Sequence, residues 1–199
     1  MNKSLIYKYP ILYRLIMVGL YGPAYFRRFG ELGAYIENDS SIVDLCCGFG
    51  DFYTYALRDK NIKYKGVDLS EEFAVYAIKK GIDVQRGNIE NYEFPSADYY
   101  TMIGSLYHFQ NPQEIISRML VASRKKVLIM EPIRNLTNSK YKIISKLSRH
   151  LTNEGNNHND FRFSEQTLDE FMNRNLKNNI IEAKNIAGGR DKIYILENR

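Results

Sequence analysis

The chain has 199 residues, 44% hydrophobic and 26% charged, with a formal net charge of +5. That is enough for one domain with a sizeable core and an ordinary globular composition, and no apolar run reaches the roughly 18–20 residues that span a bilayer. The modest positive charge permits an anionic substrate or surface but gives no reason to expect nucleic acid as a partner.

Cys46 and Cys47 are the two cysteines, adjacent in sequence. They exclude a disulfide framework or a zinc site and read as reduced thiols in a cytoplasmic protein. The first residues lack the pattern of a secretory signal.

From Leu5 to Phe29, tyrosines and aliphatic residues alternate with Lys8, Arg14, Arg27 and Arg28. Pro10 is placed to open a helix, and Gly22-Pro23 should break it before a second segment. Residues 1–38 read as a helical lid over the rest of the domain. An interfacial helix meeting anionic lipid through its tyrosines and basic residues stays open as an alternative.

Ser41-Ile42-Val43-Asp44-Leu45-Cys46-Cys47-Gly48-Phe49-Gly50-Asp51 reads as strand, tight turn and helix start. Glycines at 48 and 50 let the backbone bend sharply and approach a ligand. The dinucleotide fingerprint Gly-x-Gly-x-x-Gly/Ala fails because Tyr53 occupies its sixth position, and the Gly-Lys-Ser/Thr ending of a P-loop is absent. What remains is acid-x-small-x-Gly-x-Gly, carried by Asp44, Cys46, Gly48 and Gly50.

Lys63 to Asp68 follows as a second strand ending in an acid, with Leu69 beside it and Ser70 able to cap the next helix. Asp68 stands 24 residues beyond Asp44, close to the roughly 20-residue interval at which an acid takes ribose hydroxyls in nucleotide-binding βαβ units. Ile82 to Glu90 is a third short strand and turn. Ala97 to Phe109 is the fourth element, an acid-aromatic-apolar strand followed by a short turn through Gly104 and Ser105 with Tyr107 and His108 just beyond.

Pro112 should open a helix whose apolar face is Ile115, Ile116, Met119 and Leu120. Lys125 to Glu131 is the fifth strand, stopped by Pro132. Residues 135–160 break the alternation with a basic amphipathic piece and a polar tract containing His150 and His158, and read as an inserted cover. Helix resumes over 161–173, with Thr167 and Glu170 at capping-box spacing. Ile180 to Ala183 and Ile193 to Leu196 should form an antiparallel closing pair about Gly188-Gly189.

The glycine turn, Asp68 and Gly87-Asn88 together resemble the motifs of class I S-adenosylmethionine-dependent methyltransferases, over about residues 41–132. The usual first motif is Asp-x-Gly-x-Gly-x-Gly, and Cys46 replaces its first glycine. The Asp-Leu-Cys-Cys-Gly-x-Gly-Asp spelling is similar to that of quinone-ring methyltransferases. The resemblance implies one α/β domain over 1–199: a Rossmann-like, doubly wound, mostly parallel seven-stranded sheet with an antiparallel C-terminal strand and the N-terminal lid. It implies S-adenosylmethionine as cofactor, with S-adenosylhomocysteine as product.

By the same resemblance the cofactor residues are Asp44, Cys46, Gly48, Gly50, Asp68, Leu69, Asn88, Ile89 and Ser105, with Asn88 on the adenine amino group and Ile89 on its ring. His108 is the expected general base if the nucleophile is a hydroxyl, with Tyr107 and Glu131 behind it. The expected substrate is a small-molecule methyl acceptor of apolar or lipid-like kind, since no Asn/Asp-Pro-Pro-Tyr/Phe signature follows the fourth strand. A catalytically silent cofactor-binding module, acting as scaffold or sensor, is the alternative.

Overall fold

The computed structural model describes residues 9–134 and 162–199. The chain opens with helices α1 (Pro10–Tyr21) and α2 (Ala24–Gly33), separated by Gly22-Pro23 as its sequence requires. Then come β1 (Ser41–Leu45), a wide π-helical turn (Tyr53–Leu57), β2 (Lys63–Asp68), α3 (Glu71–Ile78) and β3 (Val84–Arg86). These are followed by β4 (Ala97–Ile103), α4 (Pro112–Ala122), β5 (Ser123–Pro132), α5 (Glu165–Leu176), β6 (Ile180–Ile186) and β7 (Asp191–Leu196). Segment 135–160, with His150 and His158, lies outside the described residues.

The seven strands form one sheet in the order β3-β2-β1-β4-β5-β7-β6. β1 runs parallel to β2 and β4, and β4 parallel to β5, while β7 is antiparallel to both β5 and β6. The expected sheet with its reversed C-terminal strand is therefore present. Strand order turns back between β1 and β4, and in open α/β sheets the crevice above that point is where ligands bind.

Period-two alternation divides the core between the two faces. Val43, Met102 and Ile129 pack with Ile116 and Met119 of α4 and Leu168 and Met172 of α5. Their sequence neighbours Ile42, Leu128 and Met130 face the other way, onto Tyr25, Phe29 and Leu32 of α2. Both faces of β5 are thus covered, which explains its unbroken apolar run. Helices α1 and α2 are part of this second core. Gly33 lets α2 approach the π-helical turn, since a Cβ there would lie 2.8 Å from the Cβ of Ala56.

Local caps follow the sequence with one correction. Ser70 caps α3 and Asn111 caps α4, accepting from the Phe73 and Glu114 amides. The box expected at Thr167 and Glu170 is instead Ser164 with Thr167: the Ser164 hydroxyl accepts from the Thr167 amide (3.2 Å) and the Thr167 hydroxyl from the Ser164 amide (2.9 Å). Ser164 has the extended backbone an N-cap needs, whereas Thr167 is already helical, so α5 runs over Glu165–Leu176 rather than 161–173. Among the described residues no helix is long and apolar enough to cross a membrane.

Candidate active site

β1 delivers the glycine turn to the carboxyl edge of the sheet. Asp44 is 1% exposed and accepts hydrogen bonds from the Tyr64 hydroxyl of β2 (2.8 Å) and the Thr101 hydroxyl of β4 (2.7 Å). Burial pushes its pKa up to about 7 against the pull of these two hydroxyls. Its carboxyl group therefore braces the floor of the turn.

Cys46, Gly48 and Gly50 all have left-handed backbones, with φ of 56°, 58° and 77°. Cys46 adopts the conformation for which the usual motif uses glycine, at a cost of about 1–2 kcal/mol. A Cβ at Gly48 would meet nothing within 4 Å, so the space before that residue is open. A Cβ at Gly50 would lie 2.7 Å from Ile82 Cδ1. The Cys47 thiol is pushed up by burial and by the neighbouring Asp68, which favours its protonated form.

Asp68 ties the second strand to this turn. Its Oδ2 accepts from the Gly48 amide (2.7 Å) and its Oδ1 from the Ser70 amide (2.8 Å). Leu69 beside it is 54% exposed at the rim.

Asn88 and Ile89 open the turn that follows β3. The Asn88 side-chain oxygen accepts from the Glu90 amide (3.1 Å) to cap a 3-10 turn, so one acceptor position is already used. Ile89 is 3% exposed and packs in the central core, because the turn that Asn88 caps rolls it under β4.

Over β4 and β5, Glu131 is buried and accepts from the Ser105 and Leu106 amides (2.7 and 2.8 Å). Burial raises its pKa to about 7, opposed by those two bonds. It holds the β4 loop in place. The Ser105 hydroxyl donates to the Ile103 carbonyl (3.0 Å).

His108 ends the same loop on the exposed side, its ring 4.0 Å from that of Tyr107. The Arg162 guanidinium covers Tyr107, 3.6 Å from the ring centroid. Desolvation of the imidazole and, after it, the charge of Arg162 lower the His108 pKa to about 4.

Arg14, Tyr25 and Asp51 form a latch that was not singled out from the sequence. Asp51, directly after the glycine turn, accepts from Arg14 Nε (3.2 Å), from Arg14 Nη2 and from the Tyr25 hydroxyl. The Arg14 guanidinium lies over Phe49 (4.6 Å to the ring centroid), and the Tyr13 ring meets Phe49 and Phe73 edge-on. The N-terminal helices therefore grip the turn through the residue between its two glycines. One signal was available: Arg14 is a lone cation inside an otherwise apolar helix, and Asp51 a lone acid at the turn. The outer face of α1 stays apolar, with Ile11 61%, Leu12 43% and Leu15 63% exposed.

The whole arrangement is similar in fold to solved methyltransferases. A complex between the Haloferax volcanii Trm112 methyltransferase activator and a methyltransferase matches with a TM-score of 0.72 at 12% identity, over 100% of this chain and 99% of that one. A SAM-dependent methyltransferase of Thermotoga maritima gives 0.69 at 14%, over 100% of both chains. The plantazolicin methyltransferase BpumL, in complex with SAH, gives 0.65 at 13%, over 98% and 95%. At these identities the likeness is one of fold.

In sequence, a tRNA (guanine-N(7)-)-methyltransferase of Clostridium kluyveri is 44% identical over 55 residues, which span 27% of this chain and 26% of that enzyme. The family model of methionine biosynthesis protein MetW matches residues 27–174, from α2 to the last turns of α5, and the chain belongs to that family.

Proposed function

We propose that the chain is an S-adenosylmethionine-dependent methyltransferase acting on a small-molecule acceptor. The carrying observation is the turn itself: open space before a left-handed Gly48, closed on one side by the Asp68 carboxylate. These residues fit the cofactor. Gly48 and Gly50 admit its methionine end, Asp68 takes ribose hydroxyls, and Leu69 and Asn88 border the base. When bound, the cofactor supplies a methyl group already activated on a sulfonium. The chain's own work is to align the acceptor, exclude water and remove a proton where the nucleophile carries one.

Calorimetry with S-adenosylhomocysteine tests the cofactor reading. Micromolar affinity is expected, with much weaker binding of NAD. Asp68→Ala should lose about 1.5–3 kcal/mol of that affinity, as for a charged acceptor. Preference for NAD would overturn the assignment. Incubation with labelled cofactor and a cell extract separates an enzyme from the silent binding module, because only the enzyme transfers label.

His108 is the proposed general base. Its pKa lies below the ordinary 6.5, near 4, so the proton-accepting form persists through the neutral range. Turnover should stay level as pH falls through 6.5 and drop only as it approaches 4. His108→Ala should cost about 10²–10⁴-fold in turnover at unchanged cofactor affinity. A variant within a few-fold of wild type, with the same acid limb, would leave His108 a loop residue.

Peripheral membrane contact rests on the exposed Ile11, Leu12 and Leu15 of α1. The full chain should then sediment with phosphatidylglycerol vesicles at low salt and release as salt rises.

A further inference from the structure

Four guanidinium groups gather about the turn between β6 and β7. Arg27 Nη2 lies 3.6 Å from the Cβ position of Gly188, and Arg134 Nη2 3.3 Å from that of Gly189. The Ile133 and Arg134 amides donate to the Arg190 carbonyl (2.9 and 3.2 Å), which fixes the end of β5 against the start of β7. Arg28 and Arg190 both face Tyr21, 4.8 and 4.6 Å from its ring centroid.

Carboxylates answer half of this charge. Glu31 stands 3.5 Å from Arg27, and Asp191 stands 3.6 Å from Arg28. Among the described residues no carboxylate lies at ion-pair distance from Arg134 or Arg190, and Arg134 is exposed. The turn has left-handed backbone at Ala187, Gly188 and Gly189, and the Ala187 amide already points at the Glu31 carboxylate (3.4 Å to each oxygen).

A second observation comes from beneath this surface. Arg28 is 6% exposed and Asp191 0%, yet among the described residues Arg28 Nε and both Asp191 carboxylate oxygens have no partner at hydrogen-bond geometry. Burying charged groups with their hydrogen bonds unmade is costly. The Asp191 oxygens only accept, so water is the species that completes their bonds, whereas Arg28 Nε–H is a donor beneath the arginine surface.

The cluster also has the right address. Asp191 pairs with Pro132 at the carboxyl end of β5, and a Cβ at Gly104 would lie 3.7 Å from Pro132 Cδ. The arginines therefore stand one strand from the loop that carries Ser105, Tyr107 and His108.

We propose that Arg134 and Arg190 form an oxyanion-recognition site for the methyl acceptor, which carries a phosphate or carboxylate group. The inference rests on the methyltransferase reading and adds the chemical class of its substrate. A guanidinium fork matches the planar geometry of an oxyanion, which a lysine would meet only as a point charge. Arg28 and Asp191 underlie them as a polar floor.

The test is calorimetric titration of inorganic phosphate into the full chain saturated with S-adenosylhomocysteine. Phosphate should bind saturably, at least tenfold more weakly in R134Q/R190Q, while S-adenosylhomocysteine affinity stays within twofold. R134Q alone, at an exposed position, should weaken phosphate several-fold, and R134K should recover only part of it. Phosphatidylglycerol vesicles form the second arm: sedimentation that phosphate competes away, and that R134Q/R190Q loses, puts the oxyanion on a lipid headgroup. Phosphate binding without vesicle binding puts it on a soluble acceptor. Equal phosphate binding by wild type and double variant, or none by wild type, would overturn the inference. Loss of S-adenosylhomocysteine binding by wild type would instead overturn the reading beneath it.

Discussion

Gly50→Val should reduce S-adenosylhomocysteine affinity by more than about 100-fold and destabilise the fold by about 2–3 kcal/mol. Two independent terms act at that position. The backbone is left-handed at φ 77°, where a β-branched residue is an outlier, a strain of about 1–2 kcal/mol. The added Cβ would also lie 2.7 Å from Ile82 Cδ1, the end of a flexible side chain that must turn aside, so overpacking adds only about 1 kcal/mol. Movement of the turn carries Gly48 away from Asp68, which now accepts its amide at 2.7 Å. Gly50→Val combined with Ile82→Ala removes the clash and leaves the backbone strain, so it should recover stability but only part of the affinity. Denaturant melts and calorimetry on both proteins measure the two terms separately. Unchanged affinity in Gly50→Val would mean that the cofactor does not approach the backbone there.

Asp51→Ala should release α1. The Asp51 side chain is 7% exposed and that of Arg14 19%, and Asp51 also accepts from Tyr25. Removing it leaves a half-buried guanidinium and a buried hydroxyl without their acceptor. Breaking a fully buried pair costs about 3–5 kcal/mol, so about 3 kcal/mol is expected for this partly covered one. The loss should be local. Amide exchange should rise through α1 while β4 and β5, buried on both faces, stay protected. Asp51→Asn keeps an acceptor for Tyr25 and should fall between the two. Equal protection of α1 in wild type and Asp51→Ala would show that aromatic packing of Tyr13 on Phe49 and Phe73 holds the helix by itself.

The sequence by itself determined the element order and the places where the chain must turn. Gly22-Pro23 divides the lid, Pro112 opens α4, Pro132 ends β5 and Gly188-Gly189 closes the last hairpin, because backbone restriction and freedom are local properties. Side-chain period identified the strands and their helices, and the acid after β2 was placed by its distance from the glycine turn.

What only the tertiary structure decided depends on partners far apart in the chain. Asp44 is pushed up to about 7 by its burial in the sheet, and Tyr64 and Thr101, 20 and 57 residues away on the two neighbouring strands, hold its carboxyl group and oppose that rise. Cys46 must be left-handed because the turn has to bring the Gly48 amide onto Asp68. Ile89 sinks into the core and Glu131 is engaged by the β4 loop, both through contacts that no periodicity encodes. Arg14 finds Asp51 across 37 residues, and Arg28 finds Asp191 at the far end of the chain. The choice of ion partner is set by strand order and lid docking, whereas a sequence pattern records only that a charge is present.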